Sequence, residues 1–296
     1  MTKEKIEYNP MNDVLFKFIF GKEERKQITI NFLNAVLERE GDKRIKDIQF
    51  QNVELVPAKE EDKLSRIDVF AILDNNERVD IEVQMINHHN MEKRTLFYWS
   101  HMFLHHNALK RGDSYQQLKP AISINLLRYN FLPQKNAHTM YGLYERETHH
   151  RLTDVIEIHF LEVLKYKKKP IEQMNIMEKW IAFFSNKLNK TEKEELAMSE
   201  PAIQGAMEAA ENFFQDSKSY WDYINREAAI LDYNSDMLAA REEGIKQGVE
   251  QGREQGEGKL SRLFAILLKE GKQMEMIEAS SDPIRRQELY KKYGII

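Results

Sequence analysis

Ser65-Arg66-Ile67-Asp68-Val69-Phe70-Ala71-Ile72-Leu73, followed by Asp74-Asn75-Asn76-Glu77 and then Arg78-Val79-Asp80-Ile81-Glu82-Val83-Gln84, is the stretch that decides how this chain is read. It reads as two β-strands around a tight polar turn. Ile67, Val69, Ala71 and Leu73 alternate with Arg66, Asp68, Phe70 and Ile72 in the first strand. Val79, Ile81 and Val83 alternate with Asp80, Glu82 and Gln84 in the second. Alternation of period two sends one set into a core and the other to the opposite face. A two-residue turn at Asn75-Asn76 would point the two apolar sets to opposite sides. A three-residue loop, residues 74–76, instead sets Ile67, Val69 and Ala71 opposite Val83, Ile81 and Val79. A one-residue slip flips a whole strand, so the apolar pattern favours the longer loop.

That register also sets Asp68 opposite Glu82, and Arg66 opposite Gln84. Two facing carboxylates repel each other, and a divalent cation between them removes the penalty. Hard oxygen ligands with little else nearby suit Mg²⁺ or Mn²⁺ better than zinc. The chemistry to which such a site points is metal-assisted hydrolysis of a phosphodiester. The same three residues also fit a plain solvated sheet face, so the rest of the chain has to arbitrate.

The chain has 296 residues and no cysteine, which excludes disulfides, iron–sulfur clusters and thiolate zinc sites. Hydrophobic residues at 42% are enough for a sizeable core, and charged residues at 31% for a well-solvated surface. The first ten residues carry no apolar signal-peptide region, and no apolar run has the length of a membrane span. A cytoplasmic protein is the expectation. A net charge of −4 is not the footprint of an avid non-specific DNA binder. Any nucleic-acid contact must use local basic patches, such as Lys22, Arg25 and Lys26, or residues 165–169.

Upstream, Pro10-Met11-Asn12-Asp13 announces a helix ending near Gly21, with Asp13 as capping residue. A second helix follows over residues 26–38, then a short strand within 45–57. Downstream of Gln84, a helix to about Arg111 carries Arg94, Tyr98, Trp99 and Met102. Its His101 and His105 share a face at i, i+4 spacing but have no third ligand with them. Residues 120–127 read as a buried strand parallel to its neighbour, and 155–164 as another strand. This order predicts an α/β domain over residues 1–165. A helical region follows over 166–240, in segments near 171–188, 194–215 and 220–243, then a tail over 241–296. In the tail Gly244, Gly248, Gly252 and Gly256 stand four residues apart. Each costs about 1 kcal/mol inside a helix relative to Ala. Close approach of a second helix across the stripe would offset that cost; a frayed linker is the alternative.

Taken together, these motifs resemble the recombination-promoting nuclease/transposase family of bacterial PD-(D/E)xK proteins. The resemblance rests on Asn12-Asp13-Val-Leu-Phe16-Lys17-Phe-Ile-Phe20-Gly21, Ser65-Arg66-Ile-Asp68-Val, Ile81-Glu82-Val-Gln84, Arg94-Thr-Leu-Phe-Tyr98-Trp-Ser and Gly112-Asp113-Ser-Tyr115 with Leu118-Lys119-Pro120. It covers roughly residues 9–165, together with the glycine-spaced tail. What it implies is an α/β restriction-endonuclease-like core, a mixed central sheet flanked by helices, followed by a helical C-terminal region. It further implies a Mg²⁺-dependent DNA endonuclease, with Mn²⁺ a plausible substitute, linked to recombination or phage defence. Asp68, Glu82 and the Val83 carbonyl would be the metal ligands. Gln84 would be a catalytic residue orienting water, standing where the wider superfamily usually has lysine. Asp13, Lys17 and Arg94 would be accessory groups: Asp13 reaching the metal through water, Lys17 or Arg94 gripping phosphate. The tail would make a homo-oligomer. A catalytically weak DNA-binding or assembly module and an RNA-directed nuclease are the competing readings.

Overall fold

The alternation is realised over residues 69–84 as a strand pair at the centre of the protein's structure, a computed structural model that describes residues 7–51, 54–55, 65–106 and 109–295, whereas Ile67, expected on the face of Val69, packs on the opposite one. Helices α1 (Asp13–Phe20) and α2 (Lys26–Val36) come first. Strands β1 (Ile48–Phe50), β2 (Glu54–Leu55), β3 (Ser65–Arg66), β4 (Val69–Leu73) and β5 (Arg78–Gln84) follow. Helix α3 (Met91–His106) leads to β6 (Ala121–Leu127), β7 (His138–Tyr144) and β8 (Arg151–Glu162). Then come α4 (Ile176–Ser185), α5 (Lys190–Ser199), α6 (Pro201–Phe213), α7 (Ser217–Lys269), α8 (Gln273–Ser281) and α9 (Pro283–Lys292).

Six strands form one mixed sheet in the order β1-β4-β5-β6-β8-β7. β5, β6 and β8 are mutually parallel, while β1, β4 and β7 pair antiparallel to their neighbours. The register is the one the apolar pattern selects: Val69 faces Ile81 and Ala71 faces Val79. The three-residue loop closes as Asn76 donates to the Leu73 carbonyl at 2.9 Å and Leu73 to that of Glu77 at 2.9 Å. Asn76 takes φ +67°, the left-handed position such a loop needs and one asparagine tolerates.

Each face of the sheet buries a different helix layer. Val69, Ala71, Val79, Ile81, Val83, Ile122, Ile124 and Leu126 join a core built with α1, α2, α4 and α6. At its centre Phe16, Phe20, Phe32, Trp180 and Phe184 pack ring against ring, with centroids 4.5–6.0 Å apart. On the opposite face Ile67, Phe70 and Ala121 pack under Tyr98 and Met102 of α3. The single helix α3 covers that side, and polar side chains of β5 and β6 lie beneath it.

Three local expectations are corrected. The cap of α1 is Asn12, not Asp13: its Oδ1 accepts from the amides of Val14 and Leu15, and Asp13 is the first helical residue. The strand predicted over 65–73 is broken at Ile67-Asp68. Arg66 therefore pairs with Glu54 in a separate two-stranded sheet rather than opposite Gln84. The break has a local cause, because the Asp68 carboxylate takes the Val83 amide and so ends the backbone ladder there. β7, which forms an edge hairpin with β8, was not foreseen, since His138-Thr-Met-Tyr-Gly-Leu-Tyr144 is exposed enough to lack a buried apolar run.

The chain divides into two compact units, the first ending at Ile230 and the second starting at Leu231. In the second, Leu263 and Leu267 of α7 pack with Ala279 of α8 and with Leu289, Tyr290 and Ile295. Asp282 caps α9 by accepting from the amides of Ile284 and Arg285. The helix α7 runs unbroken through the glycine stripe. A methyl group added at Gly244, Gly248, Gly252 or Gly256 would meet no atom of the described chain within 4 Å. No helix among the described residues is long and apolar enough to cross a membrane.

Two outcomes follow for stability. Phe20→Ala empties the centre of the aromatic cluster and is expected to cost about 3–5 kcal/mol in urea unfolding. Replacing the four stripe glycines by alanine should raise the helicity retained on heating in circular dichroism, each adding up to about 1 kcal/mol of helix preference. A drop in helicity would instead point to a second helix packed closely against the stripe.

Candidate active site

β5 presents Asp80, Glu82 and Gln84 on the α3 side of the sheet, and the first two are fully buried. Asp68 stands beside them at the break before β4. The two carboxylates are locked by a reciprocal exchange. The Val83 amide donates to Asp68 Oδ2 at 2.8 Å, and the Asp68 amide donates to Glu82 Oε1 at 3.2 Å. Each acid thus satisfies a backbone group that the ladder would otherwise have paired, which fixes both in position.

Each carboxylate also holds one cation. Lys17, from the last turn of α1, places Nζ 2.9 Å from Asp68 Oδ1. Arg94, in the first turn of α3, places Nη2 3.4 Å from Glu82 Oε2, and its guanidinium lies over the Tyr98 ring at 5.0 Å. The two cations come from opposite helix layers and meet at the end of β5. Gln84 Nε2 donates to Glu82 Oε2 at 3.3 Å, while its amide oxygen has no partner among the described residues. The structure therefore brings together Asp68, Glu82, Gln84, Lys17 and Arg94. Val83 contributes its amide to the cluster, by way of Asp68.

Asp13 sits at the margin, where its Oδ1 accepts from Arg226 Nε at 2.7 Å. Beside it Asn12 donates to Glu227 Oε1 at 2.8 Å, and the Asn9 amide donates to the Tyr223 hydroxyl at 2.8 Å. The start of α7 is thus stapled to the segment that leads into α1. No local signal could have found Arg226, more than two hundred residues away in sequence.

Behind Glu82 runs a buried polar chain. Thr95 Oγ1 donates to Asn125 Oδ1 at 3.2 Å, Asn125 Nδ2 to Ser123 Oγ at 3.3 Å, and Ser123 Oγ to Asp80 Oδ2 at 3.2 Å. Asp80 Oδ1 is left without a partner among the described residues, and so is the buried Nε of Arg94. Asp80 was a legible omission, since period two places it on the same face as Glu82.

The electrostatics follow from burial. Burial raises the Asp68 carboxyl above the usual range, with Asp13 adding to the effect, against the pull of Lys17 and the Val83 amide. Glu82 is raised further, first by burial and then by Asp68 and Asp80. Asp80 is pushed up to about 7 by burial, against its bond from Ser123. Buried acids this close favour either shared protons or a bound cation. The donor set, two fixed carboxylates with neutral oxygens nearby, fits a hard divalent ion, which commonly takes only one or two protein carboxylates. Among the described residues no three His, Asp or Glu side chains converge into a closed cage, and such an ion does not need one. The His101–His105 spacing adds nothing here: the side chain of His105 lies outside the described residues.

Asp80 sets a pH test. A buried acid whose folded value is raised stabilises the fold fully below the unfolded value near 4, and that contribution is lost as pH climbs through about 7. In EDTA, Asp80→Asn should melt higher than wild type at pH 8 and flatten the fall in Tm between about pH 5 and pH 8. An unchanged pH profile would mean that Asp80 is not the group responsible.

With the geometry in hand, comparison with known proteins is informative at the family level. Neither the curated proteins nor the solved structures contain a match. A family profile, by contrast, matches residues 10–240, a span that takes in both helix layers, the whole sheet and the start of α7. That span contains every residue of the cluster just described, and the mixed sheet flanked by helices is the fold such nucleases share. The chain belongs to the PD-(D/E)XK nuclease family transposases.

Proposed function

We propose that the cluster at the end of β5 is the active site of a metal-dependent endonuclease that hydrolyses phosphodiester bonds in DNA. The observation that carries this reading is the reciprocal lock of Asp68 and Glu82, two buried acids held side by side at a cost in stability and each holding one cation. Asp68 and Glu82, with the Val83 carbonyl, would hold Mg²⁺, or Mn²⁺ in its place. When bound, the ion supplies Lewis acidity, lowering the pKa of water and neutralising charge at phosphorus.

The chain's own residues do the rest. Gln84 donates to Glu82 and so keeps its amide oxygen free to accept a hydrogen bond from water, which orients that water's own lone pair toward phosphorus. It carries no charge, so transition-state stabilisation falls to Lys17 and Arg94, whose cations grip the non-bridging phosphate oxygens. Glutamine instead of an ammonium group at this position supports slow or tightly regulated cleavage. Asp13, held by Arg226, borders the same space and supports a water-mediated contact to the ion. Recombination and defence against phage are the two settings the sequence resemblance implies.

Cleavage of supercoiled plasmid with Mg²⁺, Mn²⁺, Ca²⁺ or EDTA tests the proposal, with wild type beside Glu82→Ala. Metal-dependent nicking should fall at least 100-fold in the variant. Equal nicking in both would refute the site. Retention of DNA without nicking by wild type would instead identify a binding module, and RNA competing better than DNA would reassign the substrate.

The tail supports a second element of the proposal, assembly of copies of this chain through the glycine-lined face of α7, where the absence of side chains at Gly244, Gly248, Gly252 and Gly256 permits close helix approach. Light scattering of the full chain should report a mass above that of one copy, falling toward one copy when the chain ends at Ala240. An equal number of subunits in both would count against assembly through the tail.

A further inference from the structure

The two cations of the site are not equivalent. Arg94 is pinned by its stack on Tyr98 and approaches Glu82 only to 3.4 Å, with its Nε buried. Lys17 ends a flexible four-carbon stem, is 38% exposed, and makes the closer contact, 2.9 Å to Asp68 Oδ1. The Val83 amide bonds the other oxygen, Oδ2. Oδ1 is therefore the atom of Asp68 still available to a further partner, and Lys17 holds it.

We propose that Lys17 is a placeholder cation. It occupies the Asp68 oxygen that the divalent ion needs, and it moves to the substrate phosphate when the ion arrives. This inference rests on the metal-dependent reading above and adds a regulatory consequence to it. An ammonium group on Asp68 Oδ1 and a divalent ion on the same oxygen exclude each other, because two cations cannot share one short contact without strong repulsion. The displaced ammonium retains its charge and its three donors, and an incoming phosphate is the nearest anion that can take them.

Metal and DNA must then bind with positive coupling. A phosphate that draws Lys17 away uncovers Asp68 for the ion, and an ion that expels Lys17 frees it for phosphate. Linkage makes the two effects equal. The enzyme would stay low in metal until DNA is present, which suits a nuclease that must not act on water-exposed phosphates at random. Lys17 is so placed because α1 delivers it from the layer opposite α3, across the same strand end. Arg94, fixed in place, maintains the charge on Glu82 throughout.

Calorimetric titration of the full chain with Ca²⁺, in the presence and absence of a short DNA duplex, tests this directly. Lys17→Met should bind Ca²⁺ roughly fivefold more tightly than wild type without DNA, the scale of one partly exposed ion pair. The tightening of Ca²⁺ binding by DNA seen in wild type should shrink in the variant. Lys17→Gln should reproduce both effects, and Lys17→Arg, which keeps a cation on Asp68, should bind Ca²⁺ no more tightly than wild type. If wild type binds Ca²⁺ and the two neutral variants bind it no more tightly, the placeholder is refuted while the metal site stands. If neither wild type nor variants bind Ca²⁺ with DNA present, the metal-dependent reading itself falls, and this inference with it.

Discussion

The Asp68–Glu82 exchange is the contact on which the rest of this structure depends. The Asp68 carboxylate accepts from the amide of Val83, next to Glu82, and the Glu82 carboxylate accepts from the amide of Asp68 itself, so the β4–β5 ladder ends where the site begins. The break bends the chain at Asp68, diverts the preceding segment to a different strand partner, and leaves two acids fixed within a few ångströms. Burial and mutual repulsion raise both carboxyls, and Asp80 joins them from two residues away on the same face. Such a cluster works against folding unless other elements answer it.

The fold answers from both sides. α1 brings Lys17 from the layer that holds the large aromatic core, and α3 brings Arg94 from the opposite layer. Ser123, Asn125 and Thr95 carry a hydrogen-bonded chain up to Asp80 beneath α3. The compensation is incomplete, since Asp80 Oδ1 and Arg94 Nε keep no partner among the described residues. Unspent polar capacity next to paired acids is the pattern of a functional site rather than of a core optimised for stability. The carboxylates and Arg94 are the most constrained groups, and on the placeholder proposal Lys17 is the one that moves. That division accords with a site whose ligands are preorganised and whose charge can shift as substrate binds.

Much of this was legible in the residues. The apolar alternation of 69–83 set the register, because one slipped residue would have exposed an entire strand, and the same register placed Asp68 beside Glu82. The parallel strand at 121–127 was readable from its mostly apolar run. What escaped was of three kinds. Side chains that substitute for backbone, as Asp68 does at Val83 and Asn12 at the start of α1, alter local structure in ways that periodicity does not encode. Contacts far apart in sequence, such as Arg226 on Asp13, leave no mark in either segment. β7 was missed for a third reason: its side chains are half exposed, so burial wrote no pattern into it. Asp80, by contrast, was visible on the same face as Glu82 and simply lacked a partner that would draw attention to it.

The most direct test of the central claim is diffraction from crystals grown with Mn²⁺, measured near the manganese absorption edge. The account predicts one anomalous peak in contact with the Asp68 and Glu82 carboxylates, with Gln84 beside it. Well-diffracting crystals with no manganese there, or with manganese bound only at an unrelated site, would contradict it.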